Sequence, residues 1–345
     1  MKLLFLAPIV PLKEIHLNRP YFELPKAMYF VNSEGVLLAG KINVPPPKGL
    51  RTYETGVGSN RQFDIFKAYT KTIQVILKEK PQIVVFFHMN LLLSFFIIHN
   101  RVKRVFSKKR SGCKPTWVLK LDWDGTKFEG ISTLGMKLRN LFLSYNSLFL
   151  DYIIAENSCS FNATLGLPFV KKDKVRLIPN AASVDYIECN YDPRLRDKTI
   201  LTVARISPEK GIDILIKSFL RISQDFPEWS LEIIGPIDDE NYYKLLDKLI
   251  EKNSMSKTIK ILGPMYGKQL RGYYEKASIF CLASYIESFS LVRVEAIRSG
   301  IPLITTTAGC GIDFTRLGST IVPPGDTIAL SNGLTTLMES EPLRL

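Results

Sequence analysis

Two glutamates in the stretch ESFSLVRVEAIRSG, Glu287 and Glu295, are separated by eight positions with serines close to the first. On a helix this spacing brings Glu295 back towards the side of Glu287. Ser288 and Ser290 are the residue type that caps a helix start, where unpaired backbone N–H groups bind phosphate. Ionised carboxylates accept hydrogen bonds from hydroxyl groups. The pattern predicts a site for a ligand that carries both phosphate and hydroxyl groups.

A structural role for Glu295 stays open. Its neighbours Val294 and Ala296 are apolar, and a buried acid is costly unless it has a partner. Arg293 and Arg298 lie on the same predicted helix and are candidate partners.

A second motif, VARISPEKG, places Arg205 and Lys210 on either side of a turn between a predicted strand and a predicted helix. Arginine offers a planar fork for phosphate oxygens, and lysine offers a mobile point charge. Together they suit a diphosphate. The alternative is a solvated loop, because the chain holds 46 Lys and Arg residues.

A third motif, ILGPMYGKQL, contains Gly263, Pro264 and Met265 between a predicted strand and a predicted helix. Gly263 and Pro264 favour a turn. Its backbone can line the edge of a nucleobase, although the motif alone predicts only a turn.

The elements that position these loops alternate along the whole chain, as in parallel βαβ units. Strands are predicted at Leu3–Ala7, Val36–Ala39, Ile83–Phe87, Trp117–Leu121, Tyr152–Ala155 and Val175–Ile178, and again at Thr199–Val203, Leu231–Ile234, Ile259–Leu262, Ile279–Leu282 and Leu303–Thr306. Helices fit between them. The clearest is Arg61–Glu79, on which one apolar stripe is predicted from Phe63, Phe66, Tyr69, Ile73 and Ile76.

A domain boundary is predicted between Ile178 and Lys198, where polar and turn-forming residues interrupt the periodicity. We therefore predict an N-terminal α/β domain at 1–180, a linker at 181–198 and a C-terminal α/β domain at 199–345. In doubly wound sheets, ligands bind at the carboxyl ends of the strands, so the cleft between the domains is the expected site.

This combination of motifs resembles family four of the glycosyltransferases, enzymes of the GT-B fold. The resemblance is carried by VARISPEKGIDILIKSF, LEIIGP, ILGPM and ESFSLVRVEAIRSGIPLITTTAGCGIDF. It covers residues 199–326 closely and the first domain only by architecture.

The resemblance implies two doubly wound, Rossmann-like domains that face each other, with the acceptor bound by the first and the donor by the second. It implies retaining transfer of a hexose from a nucleoside-diphosphate sugar, such as a UDP- or GDP-sugar, to a glycan or lipid-linked acceptor, without a cofactor or metal ion. Arg205 and Lys210 would stabilise the departing diphosphate, Glu287 would contact the sugar, and Glu295 the ribose. The implied donor site comprises Arg205, Lys210, Gly263, Met265, Ser288, Phe289, Ser290, Leu291 and Glu295.

Two departures from the family pattern leave other functions open. Ser290 stands where the family has glycine, and the loop from Pro8 to Pro20 lacks the usual glycine pair. His16, Asn18 and Arg19 in that loop are candidate replacements for donor contacts. The alternatives are an inactive partner of another transferase and a sugar-nucleotide epimerase, which needs no acceptor.

Candidate residues on the acceptor side are His88, after the strand QIVVFFH, and the acids Asp122 and Asp124 of KLDWDGT. The two acids can hydrogen-bond a sugar hydroxyl. Their Asp-x-Asp spacing also evokes a divalent metal site, but two acids alone under-fill an octahedral shell.

Charge and composition set the expected location. The net charge of +13 favours an anionic partner, and NRVKRVFSKKRSGCK concentrates basic residues at 101–110. Beside the apolar stretch Leu91–Ile98, that cluster suits docking on anionic lipid, with a solvated loop or nucleic acid as alternatives. We expect no transmembrane segment. The five cysteines form no CxxC pair, so neither a disulfide framework nor a zinc site is indicated, and a reducing cytosol fits best. A cytoplasmic protein, peripheral on the membrane, is predicted.

Overall fold

The computed structural model describes residues 1–8, 10, 12, 20–46, 50–57, 62–87, 115–121, 133–181 and 193–344. The chain forms two compact units, Met1–Asn180 and Ala181–Leu345. Residues 182–192 of the predicted linker lie outside the described residues. Within the described residues, no helix is both long enough and apolar enough to cross a bilayer.

The N-terminal unit is built on a seven-stranded parallel sheet with the order β3-β2-β1-β4-β5-β6-β7. Its strands are β1 (Lys2–Ala7), β2 (Glu34–Ala39), β3 (Arg51–Glu54), β4 (Ile83–Phe87), β5 (Thr116–Lys120), β6 (Tyr152–Ala155) and β7 (Val175–Leu177). Its helices are Pro20–Ala27, Gln62–Glu79, Thr133–Ser147 and Ser158–Leu165, with 3-10 turns at Met28–Val31 and Lys172–Lys174.

Both faces of this sheet are covered, as the apolar composition of β1 requires. Leu4 and Leu6 belong to one core cluster, and Leu3 and Phe5 to another. Side chains alternate across a strand, so a strand buried on both faces has a continuous apolar sequence. For this reason the sequence predicts the strands of this sheet, apart from β3.

The helix Gln62–Glu79 is present, but the predicted apolar stripe is wrong in part. Phe66 is 70% exposed, while Ala68, Thr72 and Val75 are buried. Glu79 at the helix end is buried as well, and its carboxylate takes hydrogen bonds and ion pairs from β1 and β3. The contacts of Glu79 hold the end of the helix against the sheet. The helix is therefore rotated about its axis relative to the orientation that its apolar residues alone predict.

The C-terminal unit contains a six-stranded parallel sheet with the order β10-β9-β8-β11-β12-β13. The strands are β8 (Asp197–Val203), β9 (Ser230–Ile234), β10 (Ile259–Ile261), β11 (Ala277–Leu282), β12 (Leu303–Thr306) and β13 (Thr320–Val322). The helices are Ile212–Ile222, Glu240–Lys252, Gly267–Lys276, Leu291–Arg298, Thr327–Glu339 and Glu341–Arg344, with 3-10 turns at Pro193–Leu195, Pro208–Lys210 and Gly311–Leu317.

The strand order reverses between β8 and β11. From β8 the chain proceeds outward to β9 and β10, and it then returns to β11 on the other side of β8. Loops that leave neighbouring strands in opposite directions open a crevice at the carboxyl edge of such a sheet. The motifs VARISPEKG and ESFSLVRVEA follow these two strands.

Candidate functional site

The two loops at the switch point are joined by their backbones. The carbonyl of Glu209, in the turn after β8, accepts hydrogen bonds from Tyr285 N (2.9 Å) and Ile286 N (3.4 Å) in the loop after β11. The turn ends at Gly211 with φ 59°, and a Cβ there would lie 2.3 Å from the carbonyl oxygen of Ala283. Only glycine allows both this conformation and this approach.

Lys210 and Glu287, predicted in separate motifs, form an ion pair. Lys210 Nζ lies 2.9 Å from Glu287 Oε1, and the two side chains are only 14% and 9% exposed. Ser284 Oγ donates to the same oxygen at 2.8 Å, and Thr306 Oγ1 donates to the carbonyl of Ser284 at 2.6 Å. The carboxylate is therefore held by two strand ends and the turn after β8. Sequence reasoning missed Ser284 and Thr306.

Arg205 lies in the same loop and is held by acids that the sequence did not single out. Its guanidinium pairs with Asp238 and, through Nη2, with Glu209 Oε1 at 2.9 Å. Burial alone would raise the pKa of Glu209, but the hydrogen bond from Ser207 and the charges of Arg205 and Lys210 hold that pKa below its ordinary value. The solvated-loop alternative is therefore wrong for Lys210, whereas Arg205 stays half exposed.

The helix Leu291–Arg298 begins at Ser290, but not by the predicted capping. Ser290 adopts φ 66° and ψ 89°, in the left-handed region, and its side chain makes no cap hydrogen bond. A serine in this region has its hydroxyl displaced from the position that caps an ordinary start. Phe289 and Leu291 bury their side chains in the core, so only their backbones remain for a ligand.

The backbone at this helix start presents several N–H donors. The N–H groups of Phe289, Ser290, Leu291 and Val292 have no acceptor among the described residues. Several N–H groups at one helix start bind anions through hydrogen bonds and the helix dipole. The predicted N–H groups are present at the helix start without the predicted cap by Ser290, and their binding of phosphate stays a prediction.

Glu295 is buried on the same helix, where Tyr274 Oη donates to its Oε2 at 3.0 Å. Tyr274 comes from the helix Gly267–Lys276 and stacks on Phe280, with ring centroids 5.6 Å apart. The carboxylate of Glu295 therefore has a hydrogen-bond partner in Tyr274. The sequence had offered Arg293 and Arg298 as its candidate partners and had not indicated Tyr274.

Arg293 is a buried cation in the same helix. It is fully buried, none of its guanidinium nitrogens has a hydrogen-bond partner among the described residues, and it stacks on Phe314 at 5.5 Å. Burial lowers the pKa of Arg293 to about 10, and the negative charge of Glu287 opposes that shift. Both residues lie against the glycine turn after β12, because a Cβ on Gly309 would lie 2.6 Å from the Cβ of Glu287 and one on Gly311 would lie 3.8 Å from Arg293 Nη1.

The third motif adjoins the first through a glycine that the sequence did not single out. Gly263 has φ 74°, and its carbonyl accepts a hydrogen bond from Gly235 N at 3.0 Å. Gly235 packs on the strand end before Arg205, since a Cβ there would lie 1.8 Å from the carbonyl oxygen of Ala204. Met265 packs its side chain against the core.

The residues predicted on the acceptor side, namely His88, Asp122, Asp124 and the cluster 101–110, lie outside the described residues, as do His16, Asn18 and Arg19. At the carboxyl ends of β5 and β6, Lys120 and Glu156 form a buried ion pair. In the described part of the chain, no group of three or more His, Cys, Asp and Glu side chains could hold a metal ion.

Comparison with known proteins shows which proteins this chain is similar to. Residues 190–345, almost the whole C-terminal unit, match the family model of the glycosyl transferases, group 1. An uncharacterized glycosyltransferase of Haemophilus influenzae is 31% identical over 119 residues, which are 34% of this chain and 32% of that protein. The alpha-monoglucosyldiacylglycerol synthase of Acholeplasma laidlawii is 36% identical over 104 residues, 30% of this chain and 25% of that enzyme. This chain thus spans a third or less of either relative.

The whole chain also resembles solved structures. The Anabaena protein HepE in complex with UDP-glucose aligns with a TM-score of 0.73 over 100% of this chain and 91% of that one, at 17% sequence identity. At this identity the likeness shows the fold alone. It confirms the predicted GT-B class of two parallel-sheet α/β units.

Proposed function

We propose, on the premise that the C-terminal unit is similar to the group 1 glycosyl transferases, that this chain transfers a hexose from a nucleoside-diphosphate sugar to an acceptor hydroxyl. The observation that carries the proposal is the convergence of Lys210, Glu287 and four backbone N–H groups, which have no acceptor in the described part of the chain, at the switch point of one sheet. Cation, acid and amide donors are the three kinds of group that a sugar diphosphate requires.

The chemistry follows from where charge develops. As the bond between the anomeric carbon and the phosphate oxygen breaks, the leaving diphosphate gains negative charge. Lys210, Arg205 and the amides at Phe289–Val292 are fixed donors that stabilise this charge, and such preorganised groups lower the barrier. In our proposal the departing phosphate accepts the proton of the acceptor hydroxyl, which attacks from the same face and retains the anomeric configuration. No protein base is then required.

In our proposal the ion pair between Lys210 and Glu287 holds both side chains in the site before the donor binds. Lys210 neutralises Glu287 before the donor arrives, and the flexible lysine then turns towards the diphosphate. Glu287 keeps Ser284 as a hydrogen-bond donor and the buried charge of Arg293 nearby, so it stays in place to accept from a sugar hydroxyl.

The rest of the donor is assigned by the same proposal. Glu295, oriented by Tyr274, accepts from the ribose, and the backbone around Gly263 and Met265 faces the base. A UDP- or GDP-sugar is the proposed donor class, bound without a metal ion or cofactor. HepE, a structural neighbour, has been captured with UDP-glucose.

For the acceptor, we propose a glycan or lipid-linked glycan. The alpha-monoglucosyldiacylglycerol synthase is similar over 104 residues, and its name indicates a lipid product. His88, Asp122 and Asp124 stay the candidate acceptor residues, and the basic cluster 101–110 is a proposed contact with anionic lipid at the cytoplasmic face.

A panel of UDP- and GDP-sugars tests the donor assignment. A sugar nucleotide at about 100 times its Kd should stabilise the folded chain by about 2.7 kcal/mol, which thermal unfolding detects. Lys210→Ala and Glu287→Ala should abolish transfer while the fold survives. Lys217→Ala is the matched control, because Lys217 pairs with Asp213 on the exposed face of a neighbouring helix. Full activity in both site variants would refute the proposal.

One observation favours a second candidate, an inactive partner of another transferase. Ser290 holds a left-handed conformation beside the unpaired amides, where its Cβ crowds the place of the diphosphate. If this candidate is right, the purified chain turns over no sugar nucleotide, and Ser290→Gly restores binding or turnover. Turnover by the unmodified chain rejects it.

A further inference from the structure

Asp238 follows β9 in a loop that is held against the loop after β8. Ile206 N donates to the carbonyl of Pro236 at 2.8 Å, and Asp238 N donates to the carbonyl of Ile206 at 3.2 Å. Ile206 and Ile237 form a parallel bridge, so the two loops continue the pairing of their strands. The backbone of Asp238 is therefore fixed beside the loop that carries Arg205.

The guanidinium of Arg205 is shared between two acids. Its Nη1 pairs with Asp238, and its Nη2 lies 2.9 Å from Glu209 Oε1. These two terminal nitrogens form the fork with which an arginine binds phosphate oxygens. In the structure both arms of that fork are bound to carboxylates of the protein itself.

Glu209 is the firmly anchored acid of the two. Ser207 Oγ donates to its Oε1 at 2.7 Å, and its backbone carbonyl accepts from Tyr285 N at 2.9 Å. Its side chain is 29% exposed. Glu209 is thus placed to orient Arg205 and to remain where it is.

Asp238 is the acid that can leave. Its side chain is 50% exposed, and its carboxylate has no partner besides Arg205 in the described part of the chain. The cap of the helix Glu240–Lys252 comes from the next residue, Asp239, so Asp238 is not needed there. The carboxylate of Asp238 can turn into solvent without breaking a second contact.

The charges around Arg205 oppose an anionic ligand as long as Asp238 stays. One guanidinium faces two carboxylates, so the three side chains together carry an excess of negative charge. A diphosphate that approaches Arg205 meets this excess, and like charges at close range weaken binding. Displacement of Asp238 frees Nη1 and moves one negative charge away.

We infer that Asp238 competes with the diphosphate of the donor for Arg205 and thereby sets how tightly the chain binds nucleotides. The inference rests on the proposed function, in which Arg205 binds that diphosphate. The same competition acts on the product, because the nucleoside diphosphate left after transfer has a free terminal phosphate and more negative charge than the donor. When Asp238 returns to Arg205, it favours release of the product, a step that limits turnover in many enzymes.

Calorimetric titration of the full chain with UDP and with GDP tests the inference. Asp238→Asn keeps the size of the side chain and removes its charge. The Kd for the preferred nucleotide should fall about three- to five-fold, the range that an exposed ion pair supports. This gain should shrink when NaCl is raised from about 0.05 M to about 0.5 M, because salt screens exposed charges. In an Arg205→Met background the same substitution should change the Kd by less than about two-fold, because no fork remains to be freed.

Asp247→Asn is the matched control. Asp247 is an exposed acid on the helix Glu240–Lys252, so the variant makes the same change in net charge away from Arg205. An unchanged or raised Kd in Asp238→Asn overturns the inference, as does an equal gain in Asp247→Asn or an undiminished gain in the Arg205→Met background. Thermal unfolding midpoints close to that of the parent will show that the variants keep the fold.

The titration needs neither acceptor nor turnover, so the inference and the proposed function can fail separately. A chain that binds nucleotide more tightly after Asp238→Asn but transfers no sugar refutes the proposed function alone. A chain that transfers sugar and shows no gain in Asp238→Asn refutes the inference alone. If neither the parent nor Asp238→Asn binds UDP or GDP, both are overturned.

Discussion

Replacing Lys210 with methionine removes one charge of the buried ion pair and keeps most of the apolar length of the side chain. The Nζ to Oε1 distance is 2.9 Å. With an effective dielectric constant of about 20, the attraction at this distance is about 6 kcal/mol. The cost of removing both charges from water offsets most of it. Glu287 keeps the hydrogen bond from Ser284 and the nearby charge of Arg293. We therefore expect Lys210→Met to lower the free energy of unfolding by about 2 kcal/mol.

Urea unfolding followed by tryptophan fluorescence measures this loss, with buried Trp229 as the reporter in the C-terminal unit. Lys217→Met is the matched control, because Lys217 is half exposed and its pair with Asp213 should contribute about 0.5 kcal/mol. The double variant Lys210→Met, Glu287→Gln should recover part of the stability lost in Lys210→Met, because no unpaired buried carboxylate remains. Equal losses for the two lysines, together with no coupling between Lys210 and Glu287, would refute the reasoning.

Three further predictions concern single positions. Gly211→Ala should cost at least about 2 kcal/mol of unfolding free energy, because alanine meets both a left-handed backbone and the Ala283 carbonyl; Gly272→Ala, on an open helix face, should stabilise by about 0.5 kcal/mol, and equal effects in urea unfolding would contradict this. Tyr274→Phe should raise the Kd for the donor nucleotide several-fold and leave the acceptor KM unchanged, since the hydroxyl orients Glu295, the proposed ribose contact; an unaltered Kd by calorimetry would count against that role. Burial alone would raise the pKa of Glu79, but its partners hold it at about 2, so Glu79 stabilises the fold above about pH 4.5 and loses that effect as the pH falls towards 2. The stability deficit of Glu79→Gln should shrink over that interval, and a pH-independent deficit would be inconsistent with it.

The sequence predicted the alternation of strands and helices, because parallel strands that are covered on both faces consist of continuous apolar runs. The strands missed were β3 and β13, which are short edge strands; β3 reads RTYE and has no buried residue. The sequence predicted less well which face of each helix is buried. Hydrophobic spacing alone did not reveal that Phe66, Leu138 and Leu141 face solvent.

By itself, the sequence determined the two α/β units, the loops to which we assign the proposed chemistry and the residue types in them. Only the tertiary structure decided which of those residues meet. Lys210 and Glu287 are 77 positions apart, and they pair because β11 lies next to β8 in the sheet. The partners of Arg205 and Glu295, namely Asp238 and Tyr274, come from other loops and helices that no local spacing connects. Local propensity acts over a few residues, whereas strand order and packing set which distant loops share one edge.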